Sequence, residues 1–235
     1  MHLFYEPGLD LSSPRISGAE AHHGRRVLRI RPLDSIRVTD GKGTIITGKC
    51  DPFSDLEIRL TDWHVQRIPK PTMIHLGIGI LHQQDRMEWL AEKATEIGVT
   101  SMSFLSMTRC ERPKVNAERL NRIVISALKQ SGQAWLPEVH GPMPLANWLS
   151  QSAAEDQRFV GHIPAAQYDR IIRQAKPGIT SHILIGPEGD FTDDELALAR
   201  GHGFLPVSLG DTVMRTETAA LAAVHELNLV HSLRG

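Results

Sequence analysis

Two polar, glycine-containing loops lie in the C-terminal third of the chain, each between an apolar run and a helical pattern. They are Ile185-Gly186-Pro187-Glu188-Gly189-Asp190-Phe191 and Leu209-Gly210-Asp211-Thr212-Val213-Met214-Arg215-Thr216-Glu217-Thr218-Ala219. Strand-to-helix connections of this kind build parallel sheets, because a helix is needed to return the chain to the start of the next strand. Open parallel sheets bind ligands at the carboxyl ends of their strands. If the two strands are neighbours, their loops share one pocket. Neither loop carries a common nucleotide motif. Gly77-Ile78-Gly79 lies inside an apolar run and lacks a third glycine, and no G-x-x-x-x-G-K-[ST] occurs. A dinucleotide in a Rossmann fold and a nucleoside triphosphate in a P-loop are therefore excluded.

From about residue 72 onward, strands and helices alternate. Met73–Leu81 reads as an apolar strand, and Asp85–Ile97 as a helix with Met87, Leu90, Ala91, Ala94 and Ile97 on one face and Gly98 at its end. Met102–Leu105 is a strand. Asn116 caps an amphipathic helix carrying Leu120, Ile123, Val124, Ala127 and Leu128, which Gly132 stops. Strands follow at Arg158–His162, Ser181–Ile185 and Phe204–Leu209. Thr192 and Glu195 form a capping-box pattern for a helix ending at Gly201. The last helix, about Thr216–Leu229, has few polar groups in its first half, so its own domain or a partner subunit must cover it on several sides.

Residues 1–70 read differently. Ser35–Thr39 and Thr44–Gly48 flank Asp40-Gly41-Lys42-Gly43, a hairpin signal, and further strands fit Leu56–Leu60 and Trp63–Val65. This is a small β domain, with Pro69 and Pro71 flanking a linker to a second domain at 71–235.

The 235 residues hold 26 Lys and Arg against 27 Asp and Glu, so no global field attracts nucleic acid and any such site is local. Residues 15–37 contain one candidate: Arg15, Arg25, Arg26, Arg29, Arg31 and Arg37 against Glu20 and Asp34. Arginine suits phosphate and base contacts; a solvated surface strip is the other reading. Cys50 and Cys110 have neither metal nor disulfide spacing, and the twelve His are scattered, so no metal site is expected. The start of the chain is not a signal peptide and no apolar run spans a bilayer, so the expected setting is the cytoplasm, away from membranes.

The pair GPEG-x-F-T and LG-x-x-x-x-R-T-E-T-A resembles the SPOUT methyltransferases, in particular the RsmE family. Val27-Leu28-Arg29, Glu92-Lys93-Ala94-Thr95-Glu96-Ile97-Gly98-Val99, Ala127-Leu128-Lys129-Gln130-Ser131 and Leu136-Pro137-Glu138 agree in order and spacing along nearly the whole chain. The resemblance implies an α/β fold, with a SPOUT-type parallel sheet and deep trefoil knot preceded by a PUA-like β-barrel that binds RNA. It implies transfer of a methyl group from S-adenosyl-L-methionine to N3 of the uridine conventionally numbered 1498 in 16S ribosomal RNA of the small subunit, by a homodimer joined through the C-terminal domain. The same fold acting on another RNA and a non-catalytic RNA-binding assembly factor are the alternatives.

Under this reading the cofactor is held by His162 and Ile163, by Ile185, Gly186, Pro187, Glu188 and Gly189, and by Leu209, Gly210, Val213, Met214 and Thr216. Arg25, Arg26, Arg29 and Arg31 contact RNA. Capping accounts for Thr216 and Glu217 at the start of the last helix, but not for Arg215, whose charge faces the positive helix end. Uracil N3 carries a proton and is a poor nucleophile. Arg215 is suited to stabilising the uracil oxygen, and Glu217, ahead of Glu188, to accepting the proton. Lys93 and Glu96 read as a surface ion pair or as pocket-shaping residues. Asp190, Thr212 and Gln133 depart from the family pattern; Asp190 tolerates left-handed backbone, so its loop survives.

Overall fold

A computed structural model describes residues 1–54, 57–110, 115–162 and 168–233. The chain divides into two units: residues 1–70 with 125–136, and residues 71–124 with 137–235.

In the first unit, β1 (Leu3–Tyr5), β2 (Arg15–Ser17), β3 (Ser35–Thr39), β4 (Thr44–Ser54) and β5 (Glu57–Arg67) form a five-stranded sheet ordered β1-β3-β4-β5-β2. The expected hairpin joins β3 to β4, with Asp40 Oδ1 accepting from Lys42 N at 2.7 Å and Thr44 N at 3.0 Å. The two expected strands at 56–60 and 63–65 are one continuous strand, β5, paired along β4 across an irregularity in register near Gly48. Phe4, Ile16, Ile36, Val38, Ile46, Ile58 and Leu60 meet inside a barrel-like curl. Glu6 links the two edge strands, its carboxylate accepting from Ser17 N at 3.0 Å and Ser17 Oγ at 2.9 Å. A helix that the sequence pattern did not announce, α1 (Gly18–Arg26), packs Ala21 and Gly24 inward. Cys50 is a core residue whose thiol burial pushes up to about 11, so it is inert.

Residues 125–136 join this unit because their backbone and side chains bond to it. Gly43 N donates to Ala134 O at 2.9 Å, Trp135 Nε1 to Ile68 O at 3.1 Å, and Lys129 Nζ to Glu20 at 2.6 Å. They comprise the second half of α3 (Ala117–Ser131) and the turn after it. The sequence pattern alone places this helix wholly in the second domain.

The second unit is built on a six-stranded parallel sheet of β6 (Ile74–Gly79), β7 (Ser101–Ser106), β8 (Glu138–Pro144), β9 (Gln157–Gly161), β10 (Ser181–Ile185) and β11 (Leu205–Val207), ordered β11-β9-β10-β6-β7-β8. Between strands run α2 (Gln84–Ile97), the α3 helix, α4 (Leu145–Leu149), α5 (Ile171–Gln174) and α6 (Asp193–Gly201). The chain ends in α7 (Thr216–Ser232), which packs on α2, β6 and β10. The α2 helix stops at Gly98 in left-handed conformation (φ 100°), whose N–H donates to Ala94 O and Thr95 O. Asn116 Oδ1 caps α3 by accepting from Arg119 N at 3.0 Å. The capping box of α6 is formed by Thr192 and Glu195, and Glu195 also accepts from Thr108 N at 2.8 Å. Burial pushes the Glu195 pKa up, but these hydrogen bonds outweigh it and hold the carboxyl below its ordinary range.

At the amino ends of the strands lies a buried polar cluster. His182 on β10 stacks on His75 of β6 with ring centroids 4.6 Å apart, and its Nε2 lies 2.9 Å from Asp156 Oδ2. Desolvation lowers the His182 pKa even though Asp156 pulls it up. The folded protein therefore holds His182 neutral at a pH where the unfolded chain protonates it. Stability from this group is fully present above about pH 6.5, the unfolded value, and is lost as pH falls through the lower folded value. Melting temperature is expected to fall on acidification from about pH 7.5 to pH 5.5, and His182→Asn, which cannot titrate there, should flatten that part of the curve. Parallel melting curves of the two proteins check this.

Candidate functional site

The strand order corrects one assumption about the two polar loops. They do not follow adjacent strands, because β9 lies between β10 and β11. Three loops therefore converge: Gly161–His162 after β9, Ile185–Asp190 after β10, and Val207–Met214 after β11. Thr216 and Ala219 of α7 close the fourth side of a cleft of about 170 Å³.

Of the predicted ligand-binding residues, His162, Ile185, Gly186, Pro187, Glu188, Leu209, Gly210, Val213, Met214 and Thr216 all line this cleft. Ile163 falls outside the described residues, as do Pro164 and Ala165. Gly189 does not line it. Its α-carbon faces Arg109, where an added Cβ would lie 3.2 Å from Arg109 Cβ, so Gly189→Val would press on Arg109 and not fill the cleft. Val207 and Ala219 line the cleft without having been singled out.

The Gly186–Asp190 loop is held from three directions. Gly79 at the end of β6 comes so close that an added Cβ would lie 2.5 Å from Pro187 N and 2.7 Å from Pro187 Cα. Arg109 Nη1 donates to Gly189 O at 2.9 Å and Phe191 O at 3.0 Å. Glu188 is gripped on both oxygens, by His82 N at 3.2 Å and Arg86 Nη1 at 2.9 Å. Asp190 adopts φ 61° and its Oδ1 accepts from Phe191 N at 2.8 Å, so aspartate does accommodate the left-handed backbone there. The second loop turns on Ser208, whose Oγ accepts from Gly210 N at 3.3 Å.

Arg215 and Glu217 flank Thr216 but diverge. Arg215 is the N-cap of α7, exposed, with no side-chain capping bond. Glu217 points inward and is only 6% exposed. Its Oε1 lies 3.9 Å from Arg86 Nε, while Oε2 is buried with no hydrogen-bond partner among the described residues. Leaving a buried carboxylate without its cation costs about 3–5 kcal/mol, so Arg86 is needed wherever Glu217 is ionised. Arg86 was missed in the sequence, because an arginine in the first turn of a surface helix looks like any solvated cation.

His162 Nδ1 is likewise buried without a hydrogen-bond partner among the described residues, 3.8 Å from Asp190 Oδ1. The unsatisfied His162 Nδ1, the loop backbone and the apolar Leu209 and Met214 that line the cleft suit a ligand that is part polar and part apolar, and Arg215 and Glu217 are not among its lining residues. Lys93 bonds Glu92 at 2.7 Å and Glu96 at 2.9 Å, a half-exposed surface triad that takes no part in the cleft. Among the described residues no group of three metal-ligating side chains occurs, and no helix is long and apolar enough to cross a membrane.

Arg25 and Arg26 lie in the last turn of α1, and Arg29 and Arg31 in the loop after it, so the four candidate RNA contacts are successive. Arg26, Arg29 and Arg31 are exposed and Arg25 is half-buried. Arg29 and Leu33 both have positive φ, 53° and 70°, which fixes a sharp path between α1 and β3.

The fold and cleft define an open α/β enzyme of the strand-end ligand-binding class. Residues 68–228 match the family model described as an RNA methyltransferase domain. A ribosomal RNA small subunit methyltransferase E from Mycobacterium bovis is 30% identical over 230 residues, covering 92% of this chain and 86% of that protein. The crystal structure of a probable rRNA-methyltransferase from Porphyromonas gingivalis superposes with a TM-score of 0.85 at 34% identity, covering 99% of both chains. That of ribosomal RNA small subunit methyltransferase E from Neisseria gonorrhoeae, bound to S-adenosyl methionine, gives 0.84 at 29% identity, covering 95% of both. The chain belongs to the RNA methyltransferases of the ribosomal RNA small subunit methyltransferase E family, RsmE.

The contact at Gly79 gives a direct test of how the cleft is held. The two nearest atoms a Cβ would meet there, Pro187 N and Cα, are backbone and cannot rotate away. Gly79→Ala is expected to destabilise by about 1–3 kcal/mol, the range for overpacking. Gly201→Ala at the end of α6, where a Cβ meets nothing within 4 Å, serves as the control and should not destabilise in the same denaturant titration.

Proposed function

We propose that this chain is the S-adenosylmethionine-dependent methyltransferase of N3 of uridine 1498 in small-subunit 16S ribosomal RNA. The three-loop cleft beside a buried carboxylate and an exposed arginine carries the reading. Bound S-adenosylmethionine supplies a methyl group activated by the sulfonium, so the remaining work is positioning and proton removal. Loop backbone after β9, β10 and β11 holds the cofactor, with His162 Nδ1 as a free polar contact. Glu217 accepts the N3 proton, directly or through water. Arg215, unpaired with the helix dipole and free to reach outward, stabilises the negative charge that develops on a uracil oxygen. The N–C bond forms as the S–C bond breaks, and the proton resides on Glu217.

The RsmE resemblance supports two further parts of the reading. The five-stranded unit is a PUA-like RNA-binding barrel, with Arg25, Arg26, Arg29 and Arg31 on phosphate. The C-terminal unit is a deep trefoil knot: the chain passes from β9 to β10, returns beyond β9 to β11, and then brings α7 back over α2 and β6. A cofactor-bound crystal structure that traces residues 163–167 decides whether the chain threads. The protein works in the cytoplasm, where ribosomal RNA is assembled. It forms a homodimer through the C-terminal unit, a reading supported by Trp89 on α2 and Leu229 on α7, which are 45% and 43% exposed. Sedimentation showing only monomer at micromolar concentration would remove that part.

Arg215→Ala should lower single-turnover methylation by roughly one to three orders of magnitude, the range for losing one anion-stabilising donor. Its melting temperature should hold or rise slightly, since an unfavourable charge at the helix start is removed. Glu217→Gln should lose rate in a way that shrinks as pH rises and uracil ionises unaided. Intact methylation in both variants would make these residues structural. Reversing the charge of Arg26 and Arg29 should weaken RNA binding and flatten its salt dependence, each phosphate contact contributing a slope of about −0.7 to −0.9. An unchanged slope would move the RNA surface elsewhere.

A further inference from the structure

One side chain touches both halves of the site. Arg86 stands in the first turn of α2, 29% exposed, with Nη1 2.9 Å from Glu188 Oε1 and Nε 3.9 Å from Glu217 Oε1. Glu188 belongs to the cleft loop after β10, and its second oxygen is taken by His82 N. Glu217 belongs to α7, with its second oxygen buried and without a partner among the described residues. A guanidinium presents donors along more than one edge of a rigid plane, so it can face two carboxylates from different elements. The two acids repel each other unless a cation stands between them. Arg86 supplies that cation, and it does so from a helix anchored in the core through Met87, Leu90 and Ala91.

We propose that Arg86 is the positioning residue of the site. It braces the cofactor loop through Glu188 and the buried carboxylate of Glu217 through the other edge of the same guanidinium, so that cofactor binding and proton acceptance depend on one side chain. The inference rests on the reading of Glu217 as proton acceptor and of the cleft as the cofactor site. Arg86 touches neither cofactor nor RNA in this role. Glu188 accordingly shapes its loop, and its function is to present a fixed backbone to the cofactor.

The two arms separate experimentally. Calorimetry with S-adenosylmethionine on the full chain, without RNA, reads the loop arm. Single-turnover methylation at saturating cofactor reads the Glu217 arm. Glu188→Gln cuts the loop arm alone and should weaken cofactor binding about three- to fivefold, the size of one half-exposed ion pair, and slow the saturated rate by less than Arg86→Gln does. Arg86→Gln cuts both and should weaken cofactor binding as well as slow the saturated rate by between about ten- and a hundredfold, as for a misplaced catalytic group. Arg86→Lys keeps the charge and should recover most of both losses. Adding Glu188→Gln to Arg86→Gln should cost no further cofactor affinity, because the contact is already gone.

A folded Arg86→Gln protein with wild-type affinity and rate overturns the brace, as does an Arg86→Lys protein no better than Arg86→Gln. If Arg86→Gln does not fold, the Arg86→Gln/Glu217→Gln double variant removes the buried charge together with its cation. It should fold and still bind cofactor more weakly than Glu217→Gln alone; equal binding overturns the brace. Failure of the wild-type protein to bind S-adenosylmethionine would instead overturn the cofactor reading. The brace would then be read from melting curves of the Arg86 and Glu188 single and double variants, where additive losses overturn it.

Discussion

The contact between Gly79 and Pro187 sets the geometry on which the site depends. Two neighbouring parallel strands, β6 and β10, end at the same level, and the loop after β10 folds back over the end of β6 with no room for a methyl group between them. With backbone against backbone, the loop has no soft side chain to compress. Its exposed amide and carbonyl groups are fixed in space before any ligand arrives, and such pre-organisation removes the entropy cost of ordering a loop on binding. Arg109 and Glu188 then add polar ties from β7's exit and from α2.

The same sheet separates two kinds of polar chemistry. At the amino ends of the strands, His182 stacks on His75 and hydrogen-bonds Asp156 through Nε2, while its Nδ1 is buried without a hydrogen-bond partner among the described residues. At the carboxyl ends, His162 Nδ1 and Glu217 Oε2 are buried and unsatisfied among the described residues. Both regions hold histidine near a carboxylate, so residue type does not distinguish them. Position does: His162 lines the cleft, where a ligand can supply the missing bond, whereas His182 is buried in the core.

Charge placement follows the same logic. Arg215 caps a helix whose dipole disfavours it, while Glu217, two residues on, is favoured by that dipole and drawn inward by Arg86. One turn of helix thus presents a cation outward and an anion inward. The proposed methylation of uracil N3 would use that pair as donor to the oxygen and acceptor of the proton.

The sequence by itself determined the parallel sheet, the hairpin at Asp40-Gly41, the caps at Asn116, Gly98 and Thr192, and the two polar strand-end loops. These are local: periodicity, turn chemistry and capping act over a few residues, and strand-end loops bind ligands wherever they occur. It could not show that β9 stands between the two signature loops, that 125–136 join the first unit, that Gly189 turns toward Arg109, or that Arg86 serves both Glu188 and Glu217. Those depend on strand order and on contacts between residues about a hundred positions apart, such as Arg86 and Glu188. No short-range pattern encodes such pairs, because what brings them together is the burial of the sheet's two faces and not any preference of the residues for each other.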